Sequence, residues 1–129
     1  PSSIGQYATI EALEGNQEAL ELHRDAYRVR RDNVLVALNE AKGIECLRPE
    51  GAFYVYPSCA GVLGLTAPNG QNISNDEDFA LALLDCEGEA VVHGAAFGLS
   101  PHFRITTAAA DDTLAEACRR IQRFCSQLK

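Results

Sequence analysis

The stretch from Asn16 to Ala41 constrains the fold of this chain more than any other. Leu20, Tyr27, Val34, Leu38 and Ala41, with Leu35, recur at steps of three, four and seven, which places them on one stripe of an α-helix. Asn16 can accept from a free amide at its start, and Gly43 can end it. Roughly 26 residues at 1.5 Å each make a rod of roughly 39 Å, longer than a compact domain of 129 residues needs. Such a rod suits bridging two domains. Arg24, Arg28, Arg30 and Arg31 are interleaved with Glu18, Glu21, Asp25 and Asp32, a pattern expected of a solvated face laced with i,i+4 pairs.

Before it, Ser3-x-x-Gln6 has the form of a capping box, and Gly15 is a stop. The helix between them is apolar nearly all round, with Ile4, Tyr7, Ala8, Ile10, Ala12 and Leu13. A helix of that kind wants protein on several sides, more than one domain of this size supplies. The chain opens on Pro1 and contains no methionine. Together these lead us to expect a piece of a longer protein.

After the rod, helices and strands interleave. Ile44–Leu47 and Ala52–Tyr56 read as strands separated by the turn Arg48-Pro49-Glu50-Gly51. Residues 59–72 read as an irregular surface loop. Ser74-x-x-Glu77 predicts a helix start with Asp76, Glu77 and Asp78 in its first turn, where the dipole favours acids. Phe79, Leu83 and Cys86 mark its buried face and Gly88 its end. Ala90–Val92 and Phe103–Thr107 read as two further strands around a loop punctuated by Gly94 and Gly98. Asp111 and Asp112 open a last helix with Leu114, Ala117, Cys118, Ile121, Cys125 and Leu128 at helical spacing. The expected fold class is α+β: a small mixed or antiparallel sheet of about four strands covered by helices, with the long helix leading in. The expected divisions are residues 1–15, a terminal helix belonging to another domain; 16–42, the bridging helix; and 43–129, a small α+β domain.

A net charge of −7 argues against nucleic acid, since phosphate neutralisation needs a basic surface. No run of 18 apolar residues exists, and the N-terminus lacks the basic and apolar regions of a signal peptide. Five scattered cysteines, Cys46, Cys59, Cys86, Cys118 and Cys125, form no C-x-x-C and have no histidine at zinc-ligand spacing. Reduced, structural cysteines in a cytoplasmic protein are expected, with no metal.

Arg104 lies in Phe103-Arg104-Ile105-Thr106-Thr107, just after Gly94-Ala95-Ala96-Phe97-Gly98. A guanidinium on a strand flanked by apolar side chains calls for a planar anion, and a carboxylate matches its two parallel donors. Its chemistry alone leaves the alternatives open: a ligand's carboxylate, or an edge-strand arginine that sits in water or pairs with a local Asp or Glu.

Four stretches in fixed order resemble one family. Pro49-Glu50-Gly51-Ala52-Phe53-Tyr54-Val55-Tyr56-Pro57 resembles the P-x-G-A-F-Y strand of class I/II aminotransferases, the pyridoxal-phosphate enzymes of the aspartate aminotransferase type. Residues 90–98, AVVHGAAFG, resemble their V-x-V-x-P-G-x-x-F-G segment, and Phe103-Arg104-Ile105-Thr106 their R-[LI]-[ST] strand. Tyr27-x-x-Arg30-Arg31-Asp32 resembles the Y-x-x-R-R-D of their interdomain helix. The resemblance covers nearly the whole chain and implies the C-terminal part of such an enzyme. It implies that Arg104 holds the substrate's α-carboxylate and that Phe53 lies beside the substrate pocket, although a core-packing role for Phe53 is equally open. It also implies that pyridoxal 5'-phosphate and its lysine belong to a part preceding Pro1. Lys42 and Lys129 are the only lysines, and neither has the right context, so no catalytic residue is expected within these residues.

Two positions depart from the family pattern. Glu89 stands where an apolar residue is usual, and His93 where proline is frequent; His93 is either a pocket-rim residue or a loop histidine without a role. The implied activity is transfer of an amino group between an amino acid, aspartate favoured, and a 2-oxo acid, in an enzyme that is a homodimer when whole. Aromatic or broad specificity is the alternative within the family, and a stand-alone non-catalytic binding domain the alternative outside it. The 129 residues alone are expected to be inactive and open to self-association.

Overall fold

A computed structural model describes residues 1–129. Four α-helices are present: α1 (Ser3–Glu14), α2 (Glu18–Asn39), α3 (Asp76–Glu87) and α4 (Asp111–Gln127). Three short strands, β1 (Tyr54–Val55), β2 (Val92–His93) and β3 (Phe103–Thr106), form one antiparallel sheet in the order β1-β3-β2. Tyr54 pairs with Thr106 and Val55 with Ile105; Val92 pairs with Arg104 and His93 with Phe103.

The α+β class matches the expectation, while the sheet has three strands rather than about four. Ile44–Leu47 does not join it; Glu45 makes a single antiparallel bridge to Ser58. Asn39 explains why. Its side-chain amide takes the Cys46 amide and carbonyl, at 2.9 and 3.0 Å, which ties that segment to the end of α2 instead of to a strand. Residues 59–72 are better packed than a surface loop, since Cys59, Val62 and Ala67 are buried.

The helix ends follow the capping chemistry with small shifts. Ser2, not Ser3, caps α1 by accepting from the Gly5 amide at 3.2 Å. Asn75, not Ser74, caps α3, accepting from the Asp78 amide at 2.9 Å while Asp78 accepts from the Ser74 amide. Gly88 ends α3 in the left-handed region at φ 66°. α2 starts two residues after Asn16, whose side chain still accepts from the Glu18 amide at 2.7 Å.

One core lies between the inner sheet face and α2, α3 and α4. Phe79 sits at its centre, 5.0 Å from Phe103 and 5.7 Å from Phe124 between ring centroids. Val34 and Leu38 of α2 enter this core, and Arg30 seals that contact by pairing with Asp111 at the start of α4, at 2.6 Å. Thus Arg30 is not simply part of a solvated face. Arg31 departs from it too: it pairs with Asp32 and donates to the Pro49 carbonyl at 3.2 Å, fixing the turn that leads into β1. The N-terminal half of α2 and all of α1 stand clear. No residue of α1 is buried, and Leu20 and Leu22 are exposed.

Candidate substrate-carboxylate site

Strand alternation decides the placement of Arg104. In β3, Phe103 and Ile105 point into the core, so Arg104 and Thr106 emerge on the outer sheet face. There the Arg104 guanidinium carbon lies 4.3 Å from the centre of the Phe97 ring and 5.7 Å from that of Tyr54. The half-buried guanidinium makes no ion pair with any acid of the chain, whereas Arg24, Arg28, Arg30, Arg31, Arg48, Arg119, Arg120 and Arg123 all do. Of the alternatives left open by its chemistry, an ion pair with a local Asp or Glu is not formed, and β3 is the central strand of the sheet rather than an edge. A cation resting on aromatic faces is held in place without its donors being used, so the planar fork remains open to a carboxylate.

Phe97 reaches Arg104 from a single turn of 3₁₀-helix, Gly94–Phe97, in the loop between β2 and β3. Gly94 is obligatory at its foot: a Cβ there would collide with the Leu99 carbonyl oxygen and lie 2.7 Å from that of His102 and 2.8 Å from the Tyr56 hydroxyl. Tyr56 donates its hydroxyl to the Gly94 carbonyl at 2.9 Å, meets Phe97 edge-on at 6.4 Å, and stacks on His102 at 5.5 Å. Burial raises the pKa of this phenol; the Asp76 carboxylate raises it further, and the Arg104 guanidinium opposes both. Asp76, Tyr56 and Arg104 therefore share one electrostatic neighbourhood.

Phe53 is exposed, not packed in the core, and meets Tyr54 edge-on at 6.2 Å. Its carbonyl accepts from the Thr107 amide at 2.7 Å and the Thr106 hydroxyl at 3.2 Å. The preceding Ala52 lies in the left-handed region at φ 66°, which is costly for a residue with a Cβ. Phe53 and Arg104 do not share a cavity. Phe53 lines a cleft of about 430 Å³ against Tyr27, Arg28 and Arg31 of α2, and Arg104 a groove of about 210 Å³ along β2, β3 and α4. Tyr54 links the two, edge-on to Phe53 and 5.7 Å from the Arg104 guanidinium.

His93 pairs with Phe103 in the sheet and is half-buried. Glu89 lies in the same groove as Arg104, with its carboxyl pKa raised by burial and by Glu116 against the opposing Arg120. All five cysteines are unpaired, and burial lifts the thiols of Cys46 and Cys118 to about 11 and those of Cys59 and Cys125 to about 12. Thiols held that firmly protonated are poor nucleophiles. Sequence reasoning missed Phe97, Tyr56 and Asp76. The first two were visible only as letters of a motif, and Asp76 as one of three acids opening a helix.

A family model described as "Aminotransferase class I and II" matches residues 2–121. This chain belongs to the class I and II aminotransferases. Over 128 residues it is 59% identical to the aspartate/prephenate aminotransferase of Cereibacter sphaeroides and 56% identical to the probable aspartate/prephenate aminotransferase of Rhizobium leguminosarum bv. phaseoli; each match covers 99% of this chain and 32% of the relative. The crystal structure of the aspartate aminotransferase from Rhizobium meliloti superposes with a TM-score of 0.96 at 46% identity, covering 100% of this chain and 32% of that one. The chain thus spans about a third of the length of the relatives it matches.

Membership in this aminotransferase family implies pyridoxal 5'-phosphate, whose aldehyde needs a lysine. Both lysines here are exposed: Lys42 lies in the turn after α2, and Lys129 is the last residue, its backbone paired with Thr66. Neither lines the groove of Arg104. These 129 residues therefore do not fit the cofactor's anchor.

Proposed function

We propose that this chain is the C-terminal third of a pyridoxal-phosphate-dependent aminotransferase, and that Arg104 receives the α-carboxylate of its substrates. The observation that carries this reading is the open guanidinium: a half-buried arginine resting on Phe97 that forms no ion pair with any acid of its own chain. An α-carboxylate is common to amino acids and 2-oxo acids, and two parallel hydrogen bonds to it fix the orientation of the bond at Cα that must break. Phe53 and Tyr54 then form the rim of the pocket that the rest of the enzyme completes.

Residues 1–15 are, on this reading, a helix of another domain, 16–42 the bridge, and 43–129 the small domain. Support comes from the fully exposed α1 and from the half of α2 that stands clear of the core. Aspartate with a 2-oxo acid is the favoured pair, supported by relatives named for aspartate and prephenate. The same reading makes the whole enzyme a cytoplasmic homodimer; its unpaired thiols suit a reducing compartment. No helix of the chain is long and apolar enough to cross a membrane.

The test is Arg104→Lys in the whole enzyme. Lysine keeps the charge and loses the fork, so kcat/KM falls by about 2–4 kcal/mol equivalents for every amino acid tried. A loss confined to dicarboxylic substrates would assign Arg104 to the side-chain carboxylate instead, and no loss would leave it a structural residue.

A further inference from the structure

We propose that Asp76 is a positioning residue for this carboxylate site, fastening the loop of residues 94–100 so that Phe97 stays against the Arg104 guanidinium. The inference rests on the reading of Arg104 given above. Asp76 is 1% exposed, yet no cation of the chain pairs with it. A buried carboxylate without a counter-ion is costly unless hydrogen bonds replace its water, and here they come from the loop. The carboxylate accepts from the Ala95 amide at 2.7 Å and from the Ser100 hydroxyl, one donor on each leg. The free amides of the first turn of α3 add a favourable dipole. Had the helix needed only an acid near its start, an exposed one would serve, as the neighbouring Glu77 does.

The loop is what holds Phe97. Phe97 is 49% exposed, and its ring meets Tyr56 edge-on and the Arg104 guanidinium on its face. Tyr56 in turn donates to Gly94, the residue beside Ala95. Asp76 therefore grips the loop from the core side and Tyr56 from the sheet side, and between them they set where the Phe97 face lies. Releasing the Asp76 grip lets that face move, and Arg104 must then be ordered when substrate arrives. This weakens substrate binding without touching the bonds that break.

The test uses steady-state kinetics of the whole enzyme with L-aspartate and with an aromatic amino acid. Asp76→Asn keeps the size and removes the charge; Ser100→Ala removes one donor and leaves the carboxylate, so it decides the matter if the first variant fails to fold. Either raises KM for both amino acids by about 3–10-fold, with kcat changed by less than about two-fold. Phe97→Ala does the same, and adding Asp76→Asn to it costs less than about two-fold more, because the two residues act through one contact. If KM is unmoved in Asp76→Asn and Ser100→Ala, or if the losses of Asp76→Asn and Phe97→Ala multiply in full, while Arg104→Lys still impairs every substrate, the role of Asp76 is refuted and the reading of Arg104 stands. An enzyme indifferent to Arg104→Lys removes both.

Discussion

The carboxyl of Asp76 shows how one side chain can tie stability to pH. Its ordinary value is 3.8; burial alone would raise it, but the hydrogen bonds from Ser100 and from the Ala95 amide, with the backbone amides close by, outweigh burial and leave it lower. The folded chain therefore holds this proton less tightly than the unfolded chain does. The stabilisation is complete above the unfolded value and is lost as pH falls through the folded one, that is, below about pH 4. Asparagine cannot titrate there. The stability gap between wild type and Asp76→Asn should be constant from about pH 7 to pH 5 and should narrow below about pH 4. Urea titrations at several pH values measure it, and a gap that widened on acidification would contradict the hydrogen-bonded, ionised carboxylate.

The helices differ in how well their first turns are closed. Asn75 caps α3 with its side chain, but Ala110 occupies the same position in α4, with extended backbone at φ −64° and ψ 150° and no side-chain acceptor. Asn75→Ala should therefore destabilise the chain by about 1 kcal/mol, and Ala110→Ser should stabilise it by about 0.5–1 kcal/mol, read from denaturant midpoints at unchanged slope. If Ala110→Ser gained nothing, the Asp112 carboxylate, which already accepts from the Thr113 amide at 2.8 Å, would be satisfying that turn. These helices were legible from sequence because a stripe, a cap and a stop are all local signals, and the local errors were one or two residues, as at Ser2 and Asn75. The strands were less so. Ile44–Leu47 has strand composition, but Asn39 claims its backbone, a competition that no window confined to the strand can register. At the site, Arg104 was legible as a strand residue with a motif around it, and its outward direction follows from alternation. Phe97 against its face and Asp76 beneath the loop were not: Asp76 meets residues 19 and 24 positions away, and nothing in a first-turn acid tells which way its carboxylate turns.

At the scale of the whole molecule, the chain is a compact body with an arm. Ile4, Tyr7, Ile10 and Leu13 are 82%, 75%, 52% and 76% exposed, so nothing in the 129 residues rewards the apolar composition of α1. Covering four such side chains is worth roughly 1.5–3 kcal/mol each, and an uncovered patch of that kind draws a neighbour. Since α1 contributes no buried residue to the core, a chain starting at Asn16 should unfold within about 0.5 kcal/mol of the full 129 residues when both are dilute. The two should differ in association instead. Sedimentation velocity over a concentration series should show the full chain forming larger species while the shortened one stays monomeric. Two monomers would mean that α1 tolerates water on all sides, and a large loss of stability in the shortened chain would mean that it docks on its own body. Either result would undercut the assignment of α1 to another domain of the enzyme, because that assignment rests on an apolar helix having no partner within these residues.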